Sequence, residues 1–338
     1  MPPLPSVSTE VRLASRPDGT LSPSQFRLAR VALPACGENQ VLVRNQSMAV
    51  SAVMRELMDD VDYLPFPAFQ VDQPLWGPAI GTVVAGEADG IAPGDLVTHR
   101  LGWRDYALLG AAEVDKVQPD ALPEPHYHLS NGPTAWLGMA HVAKVRAGDV
   151  VFVSGAAGAV GSLAGQIATL LGAARVIGSA GSKAKVDYLV RELGYDAAFD
   201  YHDGPVLDHL RALAPDGISV FFDLVGGEQF EAAVQTARPQ ARFAVAGGLA
   251  TQLGDALRGR PRLDVMTAIA KDLLIRPFAL TYGRQAFREW PERFGQWLRE
   301  GRIVYPSTVI DGGIEQAPQA LIDLVAGRHR GNVTVTLS

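Results

Sequence analysis

The stretch that most constrains this chain is VVFVSGAAGAVG, residues 150–161. Val150, Val151, Phe152 and Val153 read as a strand buried on both faces, and Gly155, Gly158 and Gly161 punctuate the turn into SLAGQIATLLG, which reads as a helix. Glycines at such a turn let the backbone approach a pyrophosphate closely, and the start of the helix offers unpaired N–H groups and a partial positive charge. The spacing is GxxGxxG rather than GxGxxG, so on these residues alone a plain strand-to-helix turn and a dinucleotide cradle both stay open.

The segments beyond the helix favour the dinucleotide. After a glycine stop at Gly172, a second strand (175–178), a second helix and a second stop at Gly194 complete a βαβ unit. A site built for NAD carries an Asp or Glu at the end of that second strand, about twenty residues beyond the glycines, to hold the ribose hydroxyls. Here Gly178, Ser179, Ala180, Gly181 and Ser182 lead into Lys183 and Lys185. No carboxylate stands there to repel a 2′-phosphate, and hydroxyl and ammonium donors stand ready to bind one, so the expected cofactor is NADP(H). Lysines in the first turn of a helix are also commonly just solvated; of the two, Lys185 is taken as the ligand.

Length and composition set the frame. A chain of 338 residues exceeds one ordinary domain, and 47% hydrophobic content can fill two cores. Thirty Lys and Arg stand against 36 Asp and Glu, a net charge of −6 without a long basic run, which argues against nucleic acid or an anionic membrane as partner. Neither a signal-peptide pattern nor a bilayer-length apolar run is present, so the expected address is the cytosol. The single cysteine, Cys36, excludes an internal disulfide and argues against zinc, since a catalytic site of the alcohol dehydrogenase kind needs two cysteines with a histidine and a structural lobe needs four. No metal is expected.

In chain order, residues 10 to 125 hold short valine- and leucine-rich segments separated by Gly, Pro and Asp turns, a pattern that suits a partly open barrel. Within it, EADGIAPGDLV reads as two strands joined by a tight turn at Pro93, Gly94 and Asp95. From His126 strands and helices alternate, as in a doubly wound parallel sheet. The last strand, NVTVTLS, most economically rejoins the β-rich part. The expected fold class is therefore α/β: a doubly wound Rossmann domain (126–303) plus a β-rich, GroES-like catalytic domain built from both chain ends (1–125 and 304–338).

Several motifs together resemble a known family. LGWRDYAL, PTAW, SGAAGAVGSLAGQIA, FFDLVGGE, ARFAVAGG and LREGRI, with the block from GSAGSK to AAFDY, make the chain similar to the zinc-independent medium-chain dehydrogenases/reductases, in the branch of the prostaglandin, leukotriene and curcumin reductases. That resemblance spans nearly the whole chain. It implies NADPH-dependent reduction of the carbon–carbon double bond of an α,β-unsaturated ketone or aldehyde, on a small hydrophobic substrate, by a homodimer. It implies that Gly158, Ala159 and Val160 line the pyrophosphate, with Gly155 and Ala157 in the same turn. Lys185 and Tyr201 would hold the 2′-phosphate, and Thr134, Gly247 and Phe278 would border the nicotinamide.

Four departures cluster where the resemblance puts the reacting centre. The family's substrate-lining segment, of the kind SLDPYMRG, is AVSAVMR here (49–55), without its tyrosine. The segment after the nicotinamide-side glycine, GGLATQLGDALRGRPRLDV, has no tyrosine either. Leu224 replaces the asparagine of the family's FDNVGGE, and His329 stands where the family has an asparagine beside the nicotinamide. The phosphate half of the site is intact, so cofactor binding is expected to survive while the substrate, or the reaction, shifts. Tyr282 and His329 are the candidate catalytic residues, and His99, Tyr106 and Tyr63 are candidates for the substrate mouth. Each also has an ordinary reading, as a core tyrosine or a solvated loop histidine. Reduction of an enone C=C, or of a C=N bond, is the favoured activity. The alternative is a cyclase, isomerase or nucleotide sensor of the same fold that uses NADP(H) without net redox turnover.

Overall fold

A computed structural model describes residues 4–64, 66–118, 120–253, 259–279 and 284–337. The chain divides into two compact units, Met1–Ser130 with Ser307–Ser338, and Asn131–Pro306.

The first unit begins with β1 (Val7–Leu13) and β2 (Phe26–Ala32), an antiparallel pair that forms its own small sheet. The long β3 (Gln40–Val50) precedes α1 (Val53–Leu57), β4 (Ala79–Gly86), β5 (Leu96–His99), β6 (Tyr106–Gly110) and β7 (Val114–Lys116). β3 bonds β4 along most of its length and β6 along its first half. Alternation puts Val41, Val43, Val83, Val97, Ala107 and Leu109 into one buried cluster. EADGIAPGDLV departs from its reading as two strands. Between β4 and β5 the backbone is turned by positive φ at Asp89, Gly90 and Gly94, leaving a single bridge between Ala88 and Ile91. The Asp95 carboxylate accepts the Ala92 N–H and pairs with Lys116, which closes the loop without a ladder.

The second unit opens with α2 (Gly132–Trp136), which runs on into a wider helical turn, Leu137–Val142. Then come β8 (Val150–Val153), α3 (Gly161–Leu170), β9 (Arg175–Ala180), α4 (Lys183–Arg191), β10 (Ala197–Asp200) and α5 (Val206–Leu213). β11 (Ile218–Asp223), α6 (Gly227–Thr236), β12 (Ala237–Val245), α7 (Leu249–Leu253), α8 (Val265–Ala270), β13 (Leu274–Pro277) and α9 (Arg284–Arg299) complete it. The sheet order is β10-β9-β8-β11-β12-β13 and every pairing is parallel, so the order reverses between β8 and β11. A reversal of this kind leaves a crevice at the carboxyl ends of the strands on either side of it. α3 is buried from Gly161 to Ala168, and its small residues make that possible. A Cβ on Gly165 would collide with the Tyr195 ring, whose hydroxyl donates to the Gly161 carbonyl at 2.7 Å.

β14 (Ser307–Ile310), α10 (Ala317–Val325) and β15 (Asn332–Thr336) return to the first unit. β15 bonds β3 antiparallel and β14 parallel, so both chain ends build one seven-stranded sheet.

Candidate functional site

The glycine turn sits between β8 and α3, beside the reversal point. Gly155 has φ +58°, a conformation that costs glycine nothing. Its N–H is held by the Ser179 hydroxyl at 3.2 Å, and the Ala156 N–H donates to the Ser179 carbonyl at 2.8 Å, tying the turn to β9. A Cβ on Gly161 would lie 2.6 Å from the Gly155 carbonyl oxygen, so α3 can start this close to the turn only as glycine. Gly158 differs: it is exposed, and a Cβ there would meet only the Gly155 oxygen at 3.4 Å. Its missing side chain leaves open a space outside the protein, where a pyrophosphate would rest on the N–H groups that begin α3. Ala159 and Val160 are half-buried next to it, and Ala157 is buried beneath.

Asp223, the aspartate of the FFDLVGGE motif, is given no role by the sequence and braces the turn from the other side of the reversal. It is fully buried at the end of β11, and one carboxylate oxygen accepts from the Ser154 hydroxyl (2.8 Å) and the N–H groups of Val225 (3.0 Å) and Gly226 (2.9 Å). Burial pushes its pKa up, while the Gly226 and Val225 N–H groups and Ser154 pull it down. Gly226 and Gly227 both have positive φ, +73° and +51°, as the tight turn into α6 requires.

The segment that leaves β9 holds no carboxylate, and Asp200, opposite Ala180 on β10, is paired with His202. Ser182 caps α4, its hydroxyl accepting from the Lys185 N–H at 3.3 Å. Tyr201 leans over Gly181 so closely that a Cβ there would stand 2.7 Å from its hydroxyl. The ring also packs on His202, centroids 4.2 Å apart, and His202 pairs with Asp200. Burial first and Asp200 second raise the Tyr201 pKa. Both lysines lie in the first turn of α4: the Lys183 side chain is 85% exposed and pairs with Asp187, and the Lys185 N–H bonds the Ser182 cap. Gly181 and Tyr201 thus lie in contact, and Ser182 is bonded to the Lys185 backbone in the first turn of α4.

Thr134 is half-buried in α2. Gly247 lies just past β12, where its N–H donates to the Asp223 carbonyl and a Cβ would stand 2.8 Å from the Leu224 oxygen. Phe278 bonds through its N–H to the Val245 carbonyl and meets Phe222 edge-on. Tyr282 lies outside the described residues. His329 lies in the first unit, half-buried in the turn just before β15.

His99 does not line a mouth. It is 5% exposed, its Nδ1 accepts from the Leu101 N–H at 3.0 Å, and its Nε2 lies 2.8 Å from the Asn45 side-chain oxygen. The Asn45 amide then donates to the carbonyls of Leu101 and Arg104, so this pair fixes loop 100–105. Burial, and after it the Arg104 cation, lower the His99 pKa to about 4. Tyr106 is half-buried on β6. Tyr63 is exposed and donates to buried Glu56 of α1, which with burial drives its pKa up to about 12. That partner is seven residues back in the chain, a helix-to-loop contact without periodic signal. Among the described residues, no group of three or more His, Cys, Asp or Glu side chains could hold a metal ion.

A parallel sheet in this order with a glycine-rich turn at its reversal, joined to a β-rich unit made from both chain ends, defines a medium-chain dehydrogenase/reductase, and the chain belongs to that family. A family model for the N-terminal domain of oxidoreductase matches residues 9–117, and one for zinc-binding dehydrogenase matches 159–299. The chain is 31% identical to a putative NADP-dependent oxidoreductase, YfmJ, of Bacillus subtilis, covering 97% of each. It is 30% identical to the NADPH-dependent curcumin reductase of Escherichia coli, covering 96% of each. The crystal structure of CurA from Vibrio vulnificus in complex with NADPH superposes with a TM-score of 0.89 at 29% identity, over 98% of this chain and 99% of that one.

Proposed function

We propose that this chain is an NADPH-dependent reductase of the double bond in an α,β-unsaturated ketone or aldehyde, acting on a small hydrophobic substrate without a metal ion. The observation that carries the reading is the corner at the end of β9, where Ser182, Lys185 and Tyr201 supply donors, the segment leaving β9 holds no carboxylate, and the neighbouring Asp200 is paired with His202. The names of the curcumin reductase and of the NADPH-bound CurA support the same reaction class. The metal-free part rests on the donor set, since Cys36 is the only cysteine. NADPH, when bound, supplies a hydride from nicotinamide C4 to the β-carbon of the substrate. The turn 155–161 holds the pyrophosphate through N–H groups, Lys185 and Tyr201 hold the 2′-phosphate, and Thr134, Gly247 and Phe278 border the nicotinamide.

Lys185→Ala is expected to weaken NADPH binding by about 1.5 to 3 kcal/mol, roughly ten- to hundredfold in Kd, and to leave NADH nearly unchanged. Fluorescence titration with both cofactors reads it, and equal losses would remove Lys185 from the phosphate. The reaction is tested by monitoring NADPH absorbance with a panel of enones and cyclic imines. Tight NADPH binding with no turnover on any member would sink the reductase reading in favour of a cyclase or isomerase.

The second unit also supports a homodimer. β13 ends the parallel sheet, paired with β12 alone among the described strands, and so leaves a row of backbone donors and acceptors. Beside that edge Leu274 and, on and before α8, Leu263, Val265, Met266 and Ile269 are all exposed, Met266 at 72%. A second copy adding its own β13 would cover both features. Met266→Asp with Ile269→Asp should raise the dimer dissociation constant by roughly a hundredfold, a cost of about 2 to 3 kcal/mol. Sedimentation velocity checks it; a dimer of unchanged stability would place the interface elsewhere.

A further inference from the structure

The first unit carries a cation that no described residue neutralises. Arg100 comes directly after β5 in loop 100–105, and its guanidinium carbon sits 4.7 Å from the centre of the Phe66 ring and 5.3 Å from that of Trp76. Among the described residues the guanidinium makes no hydrogen bond and no ion pair, and burial alone pulls its pKa down, with no carboxylate acting against it. The neighbouring arginines differ. Arg104 donates to the carbonyls of Leu75 and Gly102 and feels Glu10, Arg12 pairs with Glu10, and Arg16 donates to the carbonyls of Met58 and Phe69 and to Asp60.

Its setting is rigid. Phe66 and Phe69 meet Trp76 edge-on at 6.1 and 5.3 Å. The Gly77 N–H donates to the Arg100 carbonyl, and the His99–Asn45 pair holds the loop on its other side. The platform also adjoins the segment that replaces the family's substrate-lining tyrosine. The Met54 methyl of α1 fills the space above Gly77, 2.5 Å from where a Cβ would be, next to Trp76 in the chain.

A guanidinium stacked on aromatic faces spends no N–H on the stack, so its edge stays free to grip a carboxylate with two parallel bonds. Arg100 itself is exposed, so its edge is open to a ligand from solvent, and the flanking half-buried rings suit a flat conjugated group. We infer that Arg100, with Phe66 and Trp76, is a specificity subsite for the carboxylate of an anionic, aryl-conjugated enone. This rests on the reductase reading, which seats the substrate against residues 49–55.

A matched pair of substrates tests it: benzylideneacetone bearing a para-carboxylate, and its methyl ester. The wild type should reduce the acid with the higher kcat/KM. Arg100→Gln should lower kcat/KM for the acid by roughly ten- to hundredfold, chiefly through KM, and change the ester by less than about threefold. Arg100→Lys should recover part of the loss as a point charge without the fork. Equal losses on acid and ester, or no loss on the acid, overturn the subsite. If neither compound is reduced, the panel of enones and imines decides the reductase reading, and the subsite is judged separately by calorimetry with 4-(3-oxobutyl)benzoate on the NADPH-loaded protein. Binding that Arg100→Gln abolishes sustains it, and binding that is absent or indifferent to Arg100 overturns it.

Discussion

Lowering the pH from about 6.5 to about 4 is expected to remove on the order of 3 kcal/mol from the stability of the first unit through His99 alone. In the folded protein this imidazole is buried and neutral, with a pKa lowered to about 4 by burial and then by Arg104, against 6.5 for the ordinary group. Nδ1 takes the Leu101 N–H, so the ring's own proton sits on Nε2 and goes to Asn45. A second proton on Nδ1 would face that N–H and break the lock on loop 100–105. The unfolded chain binds the proton more readily than the folded one between pH 4 and 6.5. Stability is therefore full above about 6.5, falls by about 1.4 kcal/mol per pH unit below it, and levels off near 4. Other groups titrate in this window, among them His126 and His128, whose pKa values burial also lowers. The readout is thus a difference: urea midpoints across roughly pH 4 to 7 for the wild type and for His99→Gln. The curves should converge toward the acid end; parallel curves would show that His99 is not the group responsible. In the folded protein His99 takes up its proton only near pH 4, so the backbone beneath Arg100 keeps its lock through the rest of that range.

The parts of this molecule that are legible in its sequence and the parts that are not divide along one physical line. The βαβ unit is legible because its signals are local: a valine run, glycines at fixed spacing, glycine stops, and the absence of a carboxylate after β9. The return of the last strand is legible as well, since an isolated strand has no ladder, and β15 does bond β3. Side-chain pairings between distant segments are not. His99 meets Asn45 across 54 residues and Ser154 meets Asp223 across 69, and nothing near either residue announces the partner. Sequence alone therefore makes His99 a rim histidine, whereas the fold makes it a buried lock. Arg100 gives no signal, because its meaning depends on Phe66 and Trp76 arriving from another loop. EADGIAPGDLV misleads for the opposite reason: its turn residues are recognisable, but three positive-φ positions so close together leave no room for strands between them.

The division between local cradle and distant packing can be measured at two neighbouring glycines. Gly158→Ala and Gly161→Ala each add one methyl group, with different consequences. At Gly161 the methyl would stand 2.6 Å from the Gly155 oxygen and 2.7 Å from the Ala156 Cα, both backbone atoms, so α3 must retreat from the turn. Overpacking of that kind costs about 1 to 3 kcal/mol of stability, and cofactor binding falls with it. At Gly158 the backbone does not need a positive φ, and the methyl would make one ordinary contact at 3.4 Å. Folding should be unharmed there, or helped by a few tenths of a kcal/mol as the unfolded chain loses freedom. The methyl instead enters the space a pyrophosphate needs, displacing it from N–H groups whose bonds to a charged oxygen are worth about 1.5 to 3 kcal/mol each. Loss of two such bonds corresponds to roughly a hundredfold or greater rise in Kd, the same for NADPH and NADH because both carry the pyrophosphate. This equality separates the turn from Lys185, whose loss acts on NADPH alone. Thermal unfolding and cofactor titration on the two variants together decide the matter. If Gly158→Ala binds both cofactors as the wild type does, the turn is only a strand-to-helix connection and the pyrophosphate lies elsewhere.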